Sequence, residues 1–397
     1  MHAARGERVG CVSAAARGLT ICLVAGEESG DQLGYKLMQA LRARAPDIAF
    51  CGVGGRAMSG QGLQSLFDIS DISVMGFVPV IRRLPLLMRR ISETAAAIVA
   101  EKPDALVIID SPDFTHRVAQ KVRRAAPDIP IINYVSPTVW AWRPGRARKM
   151  RAYVDHLLAL LPFEPQAHDR LGGPPTSYVG HPLIERLAEF RPGPDDVSRN
   201  ASPPTLLILP GSRRAEIARL LPAFGEALQK TAARVGEIKA VLPAVDHLAK
   251  DIEASVHNWP VRPEILRGEA AKLAAFRSSR AALAASGTVT LELALAGVPM
   301  VAAYKVNPIE AMIARRVLQV SSVLLPNIIL GRNAVPEFLQ DDCTAENLAA
   351  ALAPLLSGGM ARDAQVAALA EVDALMRLPD GETASGKAAE IVLRYAR

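Results

Sequence analysis

The stretch VIIDSPDF at residues 107–114 decides how this chain is expected to fold. Three branched apolar residues lead directly into the carboxylate of Asp110, and Pro112 then prevents a simple continuation of either strand or helix. This order is typical of a buried parallel strand that ends in an acid at the edge of a sheet. Because open α/β sheets bind ligands at the carboxyl ends of their strands, Asp110 and Asp113 are candidate functional residues. The alternative, that they only cap the next helix or order a turn, is equally open at this point.

The order of strand, small-residue loop and helix recurs along the chain. It begins with LTICLVA at 19–25, followed by GEESGD at 26–31 and a helix with periodic apolar residues. A polar, proline-rich stretch at 190–204 is interpreted as a linker, and a strand at 206–209 then restarts the pattern. This alternation predicts two α/β domains with parallel sheets. The glycines at 52–55 do not have the GxGxxG spacing and follow the second strand, so binding of NAD is not favoured.

Length and composition agree with two globular domains. A chain of 397 residues is longer than those that usually fold around a single hydrophobic core. A content of 50% hydrophobic and 22% charged residues is ordinary for a globular protein. The net charge of +6 leaves nucleic acid, an anionic membrane surface or a phosphorylated ligand as partners. Nucleic acid is the weakest of the three, since there is no lysine-rich tail and no basic strand with interspersed aromatic residues. The nearly uncharged stretch at 281–304 contains Glu292 and turn residues, which favours a buried loop, helix and strand over a membrane span.

The cysteines and the N-terminus bear on the cellular compartment. The four cysteines at positions 11, 22, 51 and 343 show no metal-binding spacing, which predicts unpaired thiols in a reducing cytosol. Residues 1–18 contain no continuous apolar segment, so we do not predict a signal peptide. We interpret them as an N-terminal extension and leave open whether it is ordered.

Two loops in the second half have the composition of an anion site. The segment LPGSRRAE at 209–216 places Ser212 and Arg213 at a helix start, where backbone donors, the helix dipole and a guanidinium suit a diphosphate. A second loop, SGT at 286–288, precedes Glu292. The two oxygens of its carboxylate are suited to accept hydrogen bonds from two vicinal hydroxyls of a ribose. The alternatives are a capped helix with exposed arginines and a solvated or capping glutamate.

The stretch VMGFVPVIRRLPLLMRR at 74–90 mixes large apolar residues with four arginines, Arg82, Arg83, Arg89 and Arg90. One interpretation is a partly buried helix pair, divided by two prolines, with solvated arginines. The other is a surface that dips into the headgroup region of a membrane and pairs with anionic lipid. Arg315 and Arg316 are candidates to extend that basic surface.

Nine blocks of sequence together resemble the lipid-A-disaccharide synthase family: AGEESGD, MGFVPV, IDSPDF, YVSPTVWAWR, LPFE, VGHP, LPGSRRAE, SGTVTLE and LPNIILGR. They occur in the family's order and span about residues 19 to 332. The resemblance implies an α/β fold with two Rossmann-like domains that face each other across a cleft, as in B-type (GT-B) glycosyltransferases. It implies an acceptor- and membrane-facing domain at 19–190, a UDP-sugar-binding domain at 200–360, and C-terminal helices at 361–397 that pack back on the first domain. Glu28 departs from the family pattern, which has a small residue there.

The resemblance also implies a reaction. A diacylated glucosamine moves from UDP-2,3-diacylglucosamine to the 6-hydroxyl of 2,3-diacylglucosamine 1-phosphate, UDP leaves, and a β-1,6 disaccharide forms with inversion. Family members are peripheral proteins on the cytoplasmic face of the Gram-negative inner membrane, without a metal or other cofactor and without a nucleic acid partner. A relative that acts as a UDP-N-acetylglucosamine 2-epimerase and a non-enzymatic membrane-bound UDP-sugar binder are the alternatives, and a homodimer is left open.

The family's functional residues map onto this sequence as follows. Asp110 matches the candidate general base, with Asp113 in reserve. The resemblance assigns the diphosphate to Ser212, Arg213 and the loop Ser286, Gly287 and Thr288, the ribose to Glu292, and a position near the cleft to Asn327. It places three further residues on the acceptor side, Glu27, Ser29 and Asp31.

Overall fold

The computed structural model of the protein describes residues 18–72, 77–317, 320–379 and 381–396. The chain forms two compact units. The first contains the described residues up to Pro137, the segment Met150–Leu158 and the described residues from Ser385 on. The second contains Thr138–Lys149 and Ala159–Ala384.

The first half of the chain forms a seven-stranded sheet. Its strands are β1 (Thr20–Ala25), β2 (Ala49–Val53), β3 (Gln64–Ser65), β4 (Ala105–Ile109), β5 (Ile131–Tyr134), β6 (His156–Ala159) and β7 (Thr176–Tyr178). The helices of this half are α1 (Glu28–Arg44), α2 (Arg56–Gly60), α3 (Phe77–Glu101), α4 (Pro112–Ala125), α5 (Gly145–Met150), α6 (Glu164–Arg170) and α7 (Leu187–Phe190). The strand order is β3-β2-β1-β4-β5-β6-β7, and the pairs from β3 to β6 are parallel.

The second half forms a six-stranded parallel sheet. Its strands are β8 (Thr205–Leu209), β9 (Lys239–Ala244), β10 (Glu264–Arg267), β11 (Ala281–Ala285), β12 (Met300–Tyr304) and β13 (Glu337–Leu339). The helices are α8 (Arg214–Val235), α9 (Ala249–Val256), α10 (Glu269–Ser278), α11 (Val289–Ala296), α12 (Pro308–Val317), α13 (Leu325–Leu330), α14 (Ala345–Ser357), α15 (Met360–Met376) and α16 (Ala384–Tyr395). The strand order is β10-β9-β8-β11-β12-β13.

Alternation along the strands builds a core on each face of the second sheet. Leu206 and Ile208 of β8 pack with residues of α8 and α14, while Leu207 and Leu209 pack with residues of α11 and α15. In the first sheet, every residue of β4 is fully buried. The predicted α/β class with two Rossmann-like domains is therefore confirmed.

Both sheets reverse their strand order next to the first strand, between β1 and β4 and again between β8 and β11. Such a reversal leaves a crevice at the carboxyl ends of the two strands, and ligands of open α/β sheets bind there. The loop after β1 contains Glu27, the first turn of α1 contains Ser29, and the loop after β4 contains Asp110. The loops after β8 and β11 contain Arg213 and the SGT loop. Both groups of candidate residues therefore lie at a switch point.

From residue 77 on, the apolar and basic stretch at 74–90 lies in one helix, α3, and not in a pair of helices. Residues 74–76 lie outside the described part of the chain, and α3 then runs through Pro85 to Glu101. Pro79 falls in the first turn, where a backbone N–H has no partner within the helix, so its missing donor costs little. Within the described residues, no helix combines the length and the apolar character needed to cross a bilayer.

The prediction of unpaired thiols is wrong for Cys22 and Cys51, which form a disulfide. The two residues are direct partners in the parallel pairing of β1 with β2, with their Cα atoms 4.6 Å apart. Sequence spacing could not reveal this, because it depends on the register between two strands. Cys343 is a buried free thiol, and Cys11 lies outside the described residues. The prediction of a reducing compartment rested on unpaired thiols, and the disulfide removes that support.

The proline-rich stretch at 190–204 belongs to the second unit, and Arg199 connects it to two helices of that unit. The guanidinium of Arg199 donates hydrogen bonds of 2.8–3.0 Å to four carbonyl oxygens, those of Phe276, Arg277, Ala296 and Gly297. These carbonyls lie at the C-terminal ends of α10 and α11, where the backbone lacks partners within the helix. Burial lowers the pKa of Arg199 to about 10, and the positive charges of Arg362 and Arg191 add to that effect. One half-buried side chain thus connects the ends of two helices.

Candidate active site

Asp110 lies at the end of β4 in a left-handed backbone conformation. Its φ is 53° and that of Ser111 is 42°, and two consecutive non-glycine residues in this region are costly. The backbone N–H of Asp110 donates to Tyr134 O (3.1 Å), while its carbonyl accepts from the hydroxyl of Thr115 (2.6 Å). The Oδ1 atom accepts from the N–H of Ser111 (2.8 Å). One carboxylate oxygen of Asp110 thus orders the start of α4, as expected of a residue that caps a helix. The other oxygen is available for a second contact.

The second carboxylate oxygen of Asp110 belongs to a cluster with Ser29 and Glu27. Ser29 Oγ lies 3.3 Å from Asp110 Oδ2 and 3.1 Å from Glu27 Oε1. Burial raises the pKa of Glu27, and the hydrogen bond with Asp110 and the negative charge of Asp110 raise it further, against a lowering by Ser29. Glu27 therefore holds a proton to a higher pH than an ordinary glutamate does. Sequence reasoning named all three residues but did not predict that two carboxyl groups interact.

The other two acids of this region have different surroundings. Asp113 is exposed in the first turn of α4, where an acid suits the positive end of the helix. Asp31 is fully buried, and its carboxylate accepts from three backbone N–H groups at 2.7–3.1 Å, those of Gly55, Ala57 and Met58. These contacts give Asp31 a structural role at the start of α2. Its carboxylate is directed to that backbone and not to Ser29.

A cavity of about 680 Å³ lies in the second unit at the carboxyl ends of β8 and β11. This volume is in the range of sites for small molecules and cofactors. Six of the seven residues predicted for the UDP and diphosphate site line it: Ser212, Arg213, Ser286, Gly287, Thr288 and Glu292. The sequence therefore identified the two loops that the fold brings to one cavity.

Two of the helices that begin at this cavity are α8, which starts after Arg213, and α11, which starts after Thr288. In the described chain neither start is capped by a side chain. The first turns of a helix carry unsatisfied N–H groups and a partial positive charge, so both helix starts favour an anion. Gly211 allows the tight turn before α8, with a φ of 104° that a larger residue adopts only with strain.

Charged side chains in the cavity are held in pairs. Arg213 Nη1 lies 3.0 Å from Glu216 Oε1, yet 70% of the Arg213 side chain is exposed and free to meet a ligand. Lys272 Nζ lies 3.0 Å from Glu292 Oε2. The hydroxyl of Tyr304 donates to Glu216 Oε1 at 3.4 Å, and burial together with the charge of Glu216 raises the pKa of Tyr304.

Sequence reasoning missed Lys272, Tyr304 and Glu216. Glu216 lies three residues after Arg213 within the LPGSRRAE block, a spacing that brings side chains together on a helix and was a usable signal. Lys272 is inside α10 and Tyr304 ends β12, and neither belongs to a motif that marks it. Their place in the cavity follows from the packing of distant segments.

Asn327 does not line the cavity. It is 2% exposed, and its amide donates to Val335 O (3.0 Å) and Ser322 Oγ (3.2 Å). Its Oδ1 accepts from the N–H groups of Ala334 (3.0 Å) and Val335 (2.9 Å). Asn327 therefore organises the loop after α13.

The predicted lipid-facing arginines are partly engaged by acids. Arg90 contacts Asp71 (2.5 Å) and Glu93 (2.8 Å), and Arg89 contacts Glu93 (2.6 Å). Arg83 is exposed and donates to Ser70 O (3.2 Å). The side chains of Arg82 and Arg315 lie outside the described part of the chain, and Arg316 is exposed.

Comparison with solved structures gives the class of protein that this fold and cavity define. A putative UDP-N-acetylglucosamine 2-epimerase from Listeria monocytogenes aligns over 95% of both chains with a TM-score of 0.61 and 14% identity. The glycotransferase of kitacinnamycin aligns over 96% of this chain and 100% of that chain, with a TM-score of 0.57 and 16% identity. At these identities the likeness concerns the fold alone. The fold is that of GT-B glycosyltransferases and the epimerases that share it.

The sequence comparisons give the family. A family model described as lipid-A-disaccharide synthetase matches residues 21–392. The lipid-A-disaccharide synthase of Rhodopseudomonas palustris strain HaA2 is 55% identical over 377 residues, which cover 94% of this chain and 96% of that protein. That of Nitrobacter hamburgensis is 56% identical over 375 residues, which cover 94% of each. The chain belongs to the lipid-A-disaccharide synthase family. It is a glycosyltransferase of lipid A biosynthesis, and the epimerase and non-enzymatic alternatives are not favoured.

Proposed function

We propose that the protein transfers 2,3-diacylglucosamine from UDP to the 6-hydroxyl of 2,3-diacylglucosamine 1-phosphate, with Asp110 as the general base. The observation that carries this assignment is the conformation of Asp110. Its strained backbone is stabilised by contacts with Tyr134, Ser111 and Thr115, and its Oδ2 atom is directed to Ser29. A carboxylate that only capped a helix would not need a left-handed backbone at the end of a strand.

The proposed step is a single displacement. The oxygen of the acceptor hydroxyl forms a bond to the anomeric carbon of the donor sugar, on the face opposite to UDP. Asp110 takes the proton of that hydroxyl as the bond forms. The bond between the anomeric carbon and the β-phosphate oxygen breaks, and its electron pair leaves with UDP, which inverts the anomeric configuration.

The cavity of the second unit is the proposed UDP site. The negative charge that grows on the departing diphosphate is stabilised by the starts of α8 and α11 and by the exposed guanidinium of Arg213. Glu292 accepts hydrogen bonds from the ribose hydroxyls, and Lys272 orients its carboxylate. Ser212 and the SGT loop supply hydroxyl and amide donors around the phosphates.

The acylated substrates support a peripheral location on the cytoplasmic face of the inner membrane. On the described part of α3, Leu84 is 49% exposed and Met88 is 40% exposed, beside the exposed Arg83 and Arg89. Large apolar side chains next to cations suit the boundary between acyl chains and anionic headgroups. We propose this part of α3 as the membrane contact of the first unit.

The test is a reconstituted reaction. Purified protein is incubated with UDP-2,3-diacylglucosamine and 2,3-diacylglucosamine 1-phosphate, UDP release is followed, and the lipid product is identified by mass spectrometry. We expect UDP release and disaccharide formation only when both substrates are present. Release of UDP at the same rate without the acceptor, or conversion of the donor to its 2-epimer, contradicts the proposal.

A further inference from the structure

An exposed tryptophan lies beside a group of cations in the segment Thr138–Lys149 of the second unit. Trp142 is 37% exposed, and the guanidinium of Arg143 lies 4.3 Å from the centroid of its ring. The indole Nε1 donates to Thr138 Oγ1 at 2.9 Å, which satisfies the one donor of the ring. The orientation of the ring is thus fixed from two sides while much of its apolar surface remains in contact with water.

The backbone of Arg143 is strained to hold this arrangement. Its φ is 55°, in the left-handed region that residues with a side chain seldom occupy. The start of α5 does not require an arginine at this position, since a glycine adopts the same backbone without strain. An arginine kept at a strained position over an exposed indole indicates a function for the pair.

Two further exposed cations follow in the last turn of α5, Arg148 and Lys149. We define the tryptophan patch as Trp142, Arg143, Arg148 and Lys149. Across the described part of the chain, no carboxylate forms an ion pair with any of its three cations. Arg332, an exposed arginine elsewhere in this unit, differs, since it pairs with Glu371 at 2.5 Å.

Helix geometry explains only part of this composition. Cations are favoured in the last turn of a helix, but α5 has six residues and its dipole is correspondingly weak. The dipole of α5 also does not account for Arg143, which precedes the helix, or for the exposed indole. Three unpaired cations in seven residues create a local positive potential that attracts an anionic partner.

The chemistry of the patch selects the partner. An indole with a satisfied N–H has an apolar face that partitions to the boundary between water and acyl chains, and neighbouring arginine and lysine side chains extend to phosphate groups. Single-stranded nucleic acid is instead bound by successive aromatic residues, and the patch has one. We propose that the tryptophan patch binds the anionic headgroups of a phospholipid surface, as a second membrane contact in addition to α3.

The test uses vesicles and requires no turnover, so its result is independent of the roles given to Asp110 and the cavity. Binding of the full-length protein is measured by flotation with phosphatidylcholine vesicles that contain or lack phosphatidylglycerol, at low salt. We expect the double variant Arg148→Ser/Lys149→Ser to bind the anionic vesicles at least about ten-fold more weakly, from the known attraction of each cation to such a surface. Trp142→Ala is expected to reduce binding to both kinds of vesicle.

The matched control is Lys250→Ser/Arg262→Ser, which removes two exposed cations of the same unit outside the patch. It should bind as the unmodified protein does, and UDP release from detergent-dispersed substrates should be unchanged in all variants. An equal loss in the control, or no loss in the patch variants, overturns the proposal. Unchanged vesicle binding together with weaker binding of a single-stranded RNA oligonucleotide assigns the patch to nucleic acid instead. Arg83→Ser/Arg89→Ser in the same assay tests the contact through α3.

Discussion

Gly26 and Ser111 meet so closely that no side chain fits between them. A Cβ atom on Gly26 would overlap the Cβ of Ser111 and lie 2.5 Å from its Oγ. Ser111 has little freedom to move away, because it adopts a left-handed conformation with a φ of 42°. This contact joins the loop after β1, which carries Glu27 and leads into α1 with Ser29, to the residue that follows Asp110. The position of Glu27 relative to Asp110 therefore depends on the absence of a side chain at position 26.

Gly26→Ala should lower both stability and turnover. Insertion of a methyl group into closely packed surroundings is expected to reduce the free energy of unfolding by about 1–3 kcal/mol, and the displaced loop should slow UDP release. Urea unfolding and the reconstituted reaction measure the two effects. Gly60→Ala is the control, because a Cβ there has no described neighbour within 4 Å. Equal turnover in the two variants would show that the close contact does not position the catalytic residues.

Asp110→Asn should abolish turnover and leave UDP binding intact. The substitution keeps the size of the side chain but removes its capacity to accept a proton, and loss of a general base typically costs about 10²–10⁴ in rate. UDP release measures turnover, and calorimetry measures the dissociation constant for UDP. Asp113→Asn serves as the comparison, since Asp113 is the reserve candidate. Normal turnover in Asp110→Asn would contradict the assignment of Asp110 as general base. Equal losses of turnover in both variants would mean that the two acids contribute equally.

Glu292→Gln should weaken UDP binding. A neutral amide accepts hydrogen bonds from ribose hydroxyls less strongly than a carboxylate, and hydrogen bonds to charged groups contribute about 1.5–3 kcal/mol, so the dissociation constant should rise roughly ten-fold or more. The control is Glu269→Gln, which also lines the cavity but has its carboxylate 3.9 Å from Lys272 instead of 3.0 Å. Calorimetry with UDP distinguishes the two. The ribose assignment fails if both variants bind UDP equally well.

Arg199→Ala should destabilise the second unit. It leaves four carbonyl oxygens at the ends of α10 and α11 without their donor, and we expect a loss of about 2–5 kcal/mol in the free energy of unfolding. Arg199→Lys should recover little, because an ammonium group cannot reach four acceptors as a planar guanidinium does. Arg262→Ala, which removes one exposed arginine, should change stability by no more than about 0.5 kcal/mol. Similar urea midpoints for Arg199→Ala and Arg262→Ala would contradict the role given to Arg199.

The protein should lose stability as the pH falls from about 6.5 to about 4. Burial lowers the pKa of His168 to about 4, and that of His181 likewise. Over this range the unfolded chain takes up protons that the folded protein excludes, so stability is fully present above pH 6.5 and is lost on acidification. Each histidine accounts for on the order of 3 kcal/mol.

His168→Leu should reduce the acid-dependent loss without abolishing it, since His181 remains and burial also lowers the pKa of His156. Urea midpoints measured at several pH values for the unmodified protein and the variant give the comparison. A slope that does not change between the two would exclude His168 as a source of the acid sensitivity.

The parts of the site that sequence predicted are those that local pattern encodes. Asp110 was found because a branched apolar strand, an acid and a proline follow one another, and that order specifies a strand end. Ser212 and Thr288 were found because each lies in a small-residue loop between a strand and a helix. In these cases the chain neighbours of a residue determine its place in the fold.

The parts that sequence missed depend on contacts between distant segments. The bond between Cys22 and Cys51 requires the register of β1 against β2. The pairing of Lys272 with Glu292 requires α10 to pack beside α11, and no motif marks the lysine. The resemblance gave Asn327 a place near the cleft, whereas its hydrogen bonds to the loop after α13 explain why an amide is needed there.

The order of the segments along the chain has a consequence for synthesis. The first unit is completed by α16, where the hydroxyl of Tyr395 lies 3.1 Å from Nδ1 of His156, 239 positions earlier. A ribosome must therefore translate the whole second unit before the first can acquire its last helix. A nonsense mutation close to residue 384 would spare every residue assigned to chemistry and still leave the unit that carries Asp110 incomplete. Such a truncated product is expected to be a substrate for chaperones and proteases, even though the residues that line the cavity of the second unit are all present.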